Sequence, residues 1–218
     1  MTPKVPALKY SRDEITAAWQ CASILLDYPD ELLLSRLELL DEVAASLPAK
    51  IGAGLLETIR YLRRPGVADT QSQYVDTFDT RRRGCLFLTY FSNGETRKRG
   101  LALLRIKQVY ARAGLELAPE QLPDHLCVVL EFGALTDAKA GLKIILDNRA
   151  GLELLRLHLR ETGSAWSGAV ESVCSTLPLL KGKDHEIVAR LIAEGPADEQ
   201  VGLDTYGMPD LAPIQGGT

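Results

Sequence analysis

Three histidines and four cysteines are the side chains of this 218-residue chain best equipped for catalysis or metal binding. The histidines, His125, His158 and His185, lie far apart, and none stands four residues from another imidazole or thiol, so a metal site would need long-range convergence. Cys21, Cys85, Cys127 and Cys174 occur singly and read as small apolar thiols rather than disulfide partners. The chain holds no C-x-x-C, H-E-x-x-H, G-x-x-x-x-G-K-[ST], G-x-G-x-x-G or G-x-S-x-G motif. The residue pattern therefore points away from an enzyme. A hydrolytic or metal centre built on His125 and neighbouring carboxylates is the weakest of three functional readings.

Charge is more informative. Overall the chain carries 25 basic and 29 acidic residues, a formal net of -4. Yet the stretch 81–107 holds eight basic side chains, Arg81, Arg82, Arg83, Arg97, Lys98, Arg99, Arg105 and Lys107, against one acid, Glu95. That stretch is +7, and the remaining 17 basic and 28 acidic residues leave the rest of the molecule at -11. A basic patch on an acidic body is expected. One reading is an all-α regulator that grips nucleic acid through the 81–107 patch. Against it, the only interleaved aromatics are Phe87, Tyr90 and Phe91, and no helix-turn-helix spacing presents the arginines. A solvated face, or arginines paired with Asp76, Asp79 and the acidic body, explains the same charges.

The elements that must position these residues are helical almost throughout. Ser11 and Glu14 form a capping box ahead of Ile15, Ala18, Trp19, Ala22, Leu25 and Leu26 at helical spacing. Pro29 interrupts, Asp30 caps, and a second helix runs to Pro48; a third spans Ala49 to about Arg63, its start weakened by Gly52 and Gly54. A short helix at Gln71–Phe78 precedes the run Leu-Phe-Leu-Thr-Tyr-Phe at 86–91. Helix is favoured for that run as well, because six residues of strand would have no partner strand elsewhere. A fifth helix covers Glu95–Ala113 and stops at Gly114. A sixth starts at Leu122-Pro123-Asp124, with Asp124 as its cap and His125 in its first turn, roles that compete with direct ligand contact. Leu142 to Leu159 mark a seventh, with pieces at Trp166–Leu177 and Asp184–Ala193. The sum is an all-α, single-domain helical bundle of about eight helices over residues 11–193. Residues 1–10 are expected to be flexible and 194–218, rich in proline and glycine, to be a mobile tail. No run of 18 apolar residues occurs, and 1–10 has no signal-like apolar stretch, so direct membrane insertion is not expected and a cytoplasmic location is.

Two stretches carry a family resemblance. Tyr74-Val75-Asp76-Thr77-Phe78-Asp79 with its continuation through Gly100, and Leu122-Pro123-Asp124-His125-Leu126 with Leu130-Glu131-Phe132, closely resemble the NarJ-type chaperones, the delta subunits of respiratory nitrate reductase. These belong to the wider redox-enzyme maturation family that includes the TorD and DmsD proteins. The resemblance implies a TorD-like fold and a cytoplasmic, non-catalytic chaperone. Such a protein binds the N-terminal peptide of the apo catalytic (alpha) subunit of nitrate reductase and assists molybdenum cofactor insertion, binding no cofactor permanently and no nucleic acid. Cofactor biosynthesis proteins are further partners that the resemblance leaves open. Client-binding residues are expected among Tyr74, Phe78, Asp79, Phe87, Tyr90, Phe91, Arg97, Arg99, Asp124, His125, Leu126, Leu130 and Glu131. For Leu86, Phe87, Leu88, Tyr90 and Phe91 the competing role is core packing, expected for at least three of the five.

Overall fold

The computed structural model describes residues 8–64, 66–94 and 96–180, and the single positions 186 and 189. Eleven α-helices stand among them: α1 (Arg12–Leu25), α2 (Glu31–Ser35), α3 (Leu37–Ser46), α4 (Ala49–Leu62), α5 (Val67–Tyr74), α6 (Tyr90–Asn93), α7 (Arg97–Arg112), α8 (Leu126–Leu135), α9 (Ala138–Asp147), α10 (Arg149–Glu161) and α11 (Ser167–Thr176). One turn of π-helix, Val75–Asp79, extends α5, and a 3-10 turn covers Arg82–Gly84. Of the predicted helix at Asp184–Ala193 only Glu186 and Ala189 are described, both as helix, while His185 and the expected tail lie outside the described residues. At the other end, Leu8 and Tyr10 pack against the core.

Helix formation follows the caps and the apolar periods. The α1 capping box is present in full: Ser11 Oγ accepts from Glu14 N at 3.2 Å, and Glu14 Oε2 accepts from Ser11 N at 2.7 Å. Its buried stripe, Ile15, Ala18, Trp19, Ala22 and Leu25, faces α8, α11 and α4. Trp19 Nε1 donates to Thr176 Oγ1 at 2.9 Å, satisfying the one polar atom that this ring takes into the core. Around it, α4 lies along α11, α3 along α4, and α8 along α9.

Glycines set two of these crossings. A Cβ on Gly54 would stand 2.3 Å from the carbonyl oxygen of Gly168, and one on Gly168 would stand 2.3 Å from that of Gly54, so α4 and α11 touch backbone to backbone. Gly54 lowers the intrinsic helicity of α4, as expected, and in exchange permits that contact. Gly133 and Gly141 do the same for α8 and α9 over the Trp19 ring.

The helix count exceeds the predicted eight for local reasons. The long second helix divides at Arg36, which closes α2 and opens α3 with φ -92° and ψ -8°. The Leu142–Leu159 segment divides at Asn148, whose side-chain amide donates back to Ile144 O at 2.9 Å and competes with helix continuation. The helix favoured for 86–91 is corrected: Phe87 forms an isolated antiparallel bridge with His125, residues 88 and 89 make a turn, and only Tyr90–Asn93 is helical. No sheet is required, because Leu88 N donates to Asp124 O at 3.0 Å and Leu126 N to Leu86 O at 2.8 Å. The sixth helix also starts later than expected. His125 is its N-cap and Asp124 does not cap it.

Candidate functional site

The Phe87–His125 bridge lies where two clefts meet. Phe87 and Leu122 line both. The two rings of the bridge meet edge to face, with centroids 5.2 Å apart.

The first cleft, of about 440 Å³, runs between α1, α2, α8 and the 120–125 loop. Its corner is built locally. α1 ends at Leu25, Asp27 Oδ1 accepts from Tyr28 N at 2.8 Å, Pro29 blocks continuation, and Asp30 Oδ1 caps α2 by accepting from Leu33 N at 2.7 Å. That turn presents Tyr28 and Leu32, which are 44% and 56% exposed, on the rim opposite Leu122, which is 40% exposed. Ile24 and Val128 extend the apolar wall. Four carboxylates, Asp27, Asp30, Glu120 and Glu131, line it against one guanidinium, Arg36.

The second cleft, about 420 Å³, has the opposite character, with Arg81, Arg82 and Arg99 against Asp79 around Phe87 and Tyr90. The π-helical turn holds Asp79 at its edge while turning Phe78 inward, where its ring lies 4.7 Å from Tyr74 and 5.4 Å from Trp166. Arg99 leaves the first turn of α7 and passes over the rings of Phe87 and Tyr90, with 5.5 and 5.7 Å to their centroids. Its Nη2 stands 3.8 Å from Asp124 Oδ2.

Asp124 is the structural anchor beneath both clefts. It is wholly buried, and Oδ2 accepts from Thr89 N at 3.2 Å and Thr89 Oγ1 at 2.6 Å. Tyr110 Oη donates to Pro123 O at 2.8 Å, so α7 also pins the loop that carries Asp124. The expected capping role is not the one found: this carboxylate fastens the 86–91 segment and α7 to the start of α8.

The titrating groups here are set against reactivity. Burial pulls the His125 imidazole below its ordinary value, with Asp27, Asp124 and Asp79 pulling the other way, so the ring is neutral at neutral pH. Burial pushes the Cys127 thiol well above the usual range, and it does the same to the Tyr74 phenol, whose hydroxyl donates to Leu26 O at 3.0 Å. Among the described residues no three His, Cys, Asp or Glu side chains group to hold a metal. The arrangement suits recognition of an apolar, charge-bearing segment, because two wet rims of opposite sign flank a shared apolar wall.

Six of the expected residues, Asp79, Phe87, Tyr90, Arg99, His125 and Glu131, come together in the two clefts. Tyr74, Phe78, Phe91, Asp124, Leu126 and Leu130 lie buried beneath or behind them, and Arg97 is exposed on α7 without lining either cleft. Of the five apolar candidates at 86–91, Leu86, Leu88, Tyr90 and Phe91 are buried and Phe87 is half-buried. Sequence reasoning missed Asp27, Tyr28, Leu32 and Glu120. The Tyr28-Pro29-Asp30 stop was the available signal, since a large aromatic beside a helix break is placed on a corner.

Comparison with known proteins identifies the family and the fold. Residues 44–171 match the family model described as nitrate reductase delta subunit. The chain is 32% identical over 180 residues to the nitrate reductase molybdenum cofactor assembly chaperone NarJ of Escherichia coli K12, covering 81% of this chain and 74% of that protein. It is 36% identical over 166 residues to the nitrate reductase-like protein NarX of Mycobacterium tuberculosis H37Rv, where it spans a quarter of the relative's length. The fold matches a crystal structure of a chain assigned as a redox enzyme maturation protein from Archaeoglobus fulgidus, with TM-score 0.54 and 20% identity over 78% of this chain and 96% of that one. Matched across more than half its length, the chain belongs to the nitrate reductase delta subunit family.

Proposed function

We propose that this protein is a non-catalytic assembly chaperone for a nitrate reductase, and that the paired clefts receive the N-terminal segment of the apo catalytic subunit. By holding that segment, the chaperone keeps the subunit open to molybdenum cofactor insertion; the cofactor is the client's cargo and not a resident group of this chain. The observation that carries the reading is the apolar wall of Phe87 and Leu122 shared by an acidic and a basic cleft. An amphipathic helix buries its apolar face on such a wall, and the rims orient it. Its positive N-terminal end belongs over Asp27, Asp30 and Glu131, and its negative C-terminal end belongs towards Arg81 and Arg82. The family membership and the assembly-chaperone role of the Escherichia coli relative support the client class.

Calorimetry with a synthetic peptide of the catalytic subunit's N-terminus tests this reading. Expected are 1:1 binding, a negative heat-capacity change from apolar burial, and modest weakening between 50 and 500 mM salt. Absence of peptide binding overturns it. Preferential binding of a nucleic acid, with an affinity loss on the order of a thousandfold over the same salt range, would return function to the 81–107 patch.

A further inference from the structure

Four members of the 81–107 basic patch, Arg97, Lys98, Arg105 and Lys107, line neither of the two clefts. They stand on α7 together with Arg112. Between Glu95 and Glu116 the chain carries six basic residues and no acidic one. Arg99 turns inward with Ile106 and Tyr110, the three buried residues of the helix. The other five cations are exposed and make no ion pair among the described residues.

The same outer face carries apolar surface. Leu101 and Leu104 lie one helical turn apart and are 58% and 52% exposed. Arg97, Lys98 and Arg105 stand three or four residues from Leu101, and Lys107 stands three from Leu104, so cations bracket the leucines on adjoining rows of the helix. A single exposed leucine is ordinary. Two of them inside a ring of cations are not, because a solvated surface helix answers its cations with carboxylates three or four residues away and α7 holds none. Arg97 and Lys98 even occupy the first turn, where the helix dipole disfavours positive charge. A partner that is anionic and apolar at once accounts for both features.

We propose that the outer face of α7 is a peripheral docking surface for an anionic phospholipid bilayer, with Leu101 and Leu104 entering the acyl boundary and Arg97, Lys98, Arg105, Lys107 and Arg112 on the lipid phosphates. The helix lies on the bilayer and does not cross it: among the described residues no helix is long and apolar enough to span a membrane. The inner face keeps its contacts meanwhile, with Tyr110 Oη on Pro123 O and Arg99 beside Asp124, so docking requires no unfolding. Duplex nucleic acid would answer the cations but give the leucines no apolar seat. Single strands would need aromatic rings to stack on, and the one aromatic residue of α7, Tyr110, is buried.

The test is co-flotation of the full chain with vesicles of equimolar phosphatidylglycerol and phosphatidylcholine, against vesicles of phosphatidylcholine alone and a duplex DNA oligonucleotide. Binding to the anionic vesicles is expected, with little binding to the zwitterionic ones and a loss of about tenfold or more between about 50 and 500 mM salt. Lys98→Gln/Arg105→Gln should weaken it by about tenfold or more, since each cation near an anionic surface contributes a factor of about five. Leu101→Gln/Leu104→Gln should weaken it by about threefold or more at either salt concentration. All four side chains are exposed, so both variants should keep the wild-type melting temperature; if one does not, the lipid and salt dependence of the wild type carries the decision. Equal binding to the two kinds of vesicle, none to the anionic ones, or a folded variant of either pair that binds like wild type overturns the proposal. Capture by DNA in place of the anionic vesicles returns the face to nucleic acid.

Discussion

Arg99 and Asp124 meet 3.8 Å apart under the joint of the two clefts, the carboxylate wholly buried and the guanidinium spread over Phe87 and Tyr90. The pair joins the two stretches that resemble the NarJ-type chaperones, so two motifs separate in sequence are tied together at one point. It also explains why a carboxylate with no catalytic partner sits at the centre of the site: it holds the shared wall in place.

Removing that carboxylate should loosen the wall from α8. Asp124→Ala is expected to lose about 3–5 kcal/mol of stability, because Arg99 and Thr89 give up a buried acceptor that water cannot replace. Asp124→Asn retains an acceptor for Thr89 and should lose less. Urea unfolding of both variants measures the difference. Equal stability of Asp124→Ala and the wild type would show that the pair fastens nothing.

The rim of the first cleft should affect binding without affecting the fold. Leu32→Glu and Leu122→Glu change side chains that are more than a third exposed, so the melting temperature should stay within about 2 °C of wild type, a shift of about 0.5–1 kcal/mol or less for a domain this size. Each adds a carboxylate where the client's apolar face is seated, and a loss of about tenfold or more in peptide affinity is expected. Calorimetry reads both, and unchanged affinity would move the peptide off this cleft.

His125 makes stability depend on pH in a defined direction. Its folded-state value lies below the ordinary 6.5, so between pH 7 and 5 the unfolded chain binds the proton more readily. The imidazole therefore contributes stability that is present above about 6.5 and is lost as pH falls through the folded value. His158 is lowered too, by burial and then by Arg81 and Arg83, and adds in the same sense. In His125→Gln the drop in denaturant midpoint from pH 7 to 5 should be smaller than in wild type, and smaller again when combined with His158→Gln. Parallel pH curves would refute the assignment.

Two alanine substitutions at helical glycines should move stability in opposite directions. Gly54→Ala drives a methyl to 2.3 Å from Gly168 O, a backbone atom that cannot swing aside, so α4 and α11 must separate at a cost of about 1–3 kcal/mol or more. Gly100→Ala in α7 meets nothing within 4 Å and should stabilise by about 0.5–1 kcal/mol. Thermal unfolding of the pair checks both signs against one reference.

The helices themselves were legible in the chain. Ser11 with Glu14, Asp30 ahead of Leu33 and the apolar periods through α1, α4 and α7 act between residues three or four apart, a range over which sequence specifies structure nearly alone. The lopsided charge and the two motif stretches were likewise visible, and they singled out six of the side chains that meet in the clefts. Tertiary structure decided what depends on contacts between distant segments. The start of the 86–91 run is not helical because the backbone of 124–126, almost forty residues later, pairs with it: Asp124 O accepts from Leu88 N, and Leu126 N donates to Leu86 O. Asp124 is a buried tether and not a cap because folding delivers Thr89 and Arg99 to it. Gly54, which weakens a helix read alone, is required once Gly168 lies against it. Tyr28 and Leu32 join the site because α1 and α2 turn the corner at Pro29 towards the 120–125 loop, and apolar residues at that spacing carry no mark of which face the rest of the chain will leave uncovered.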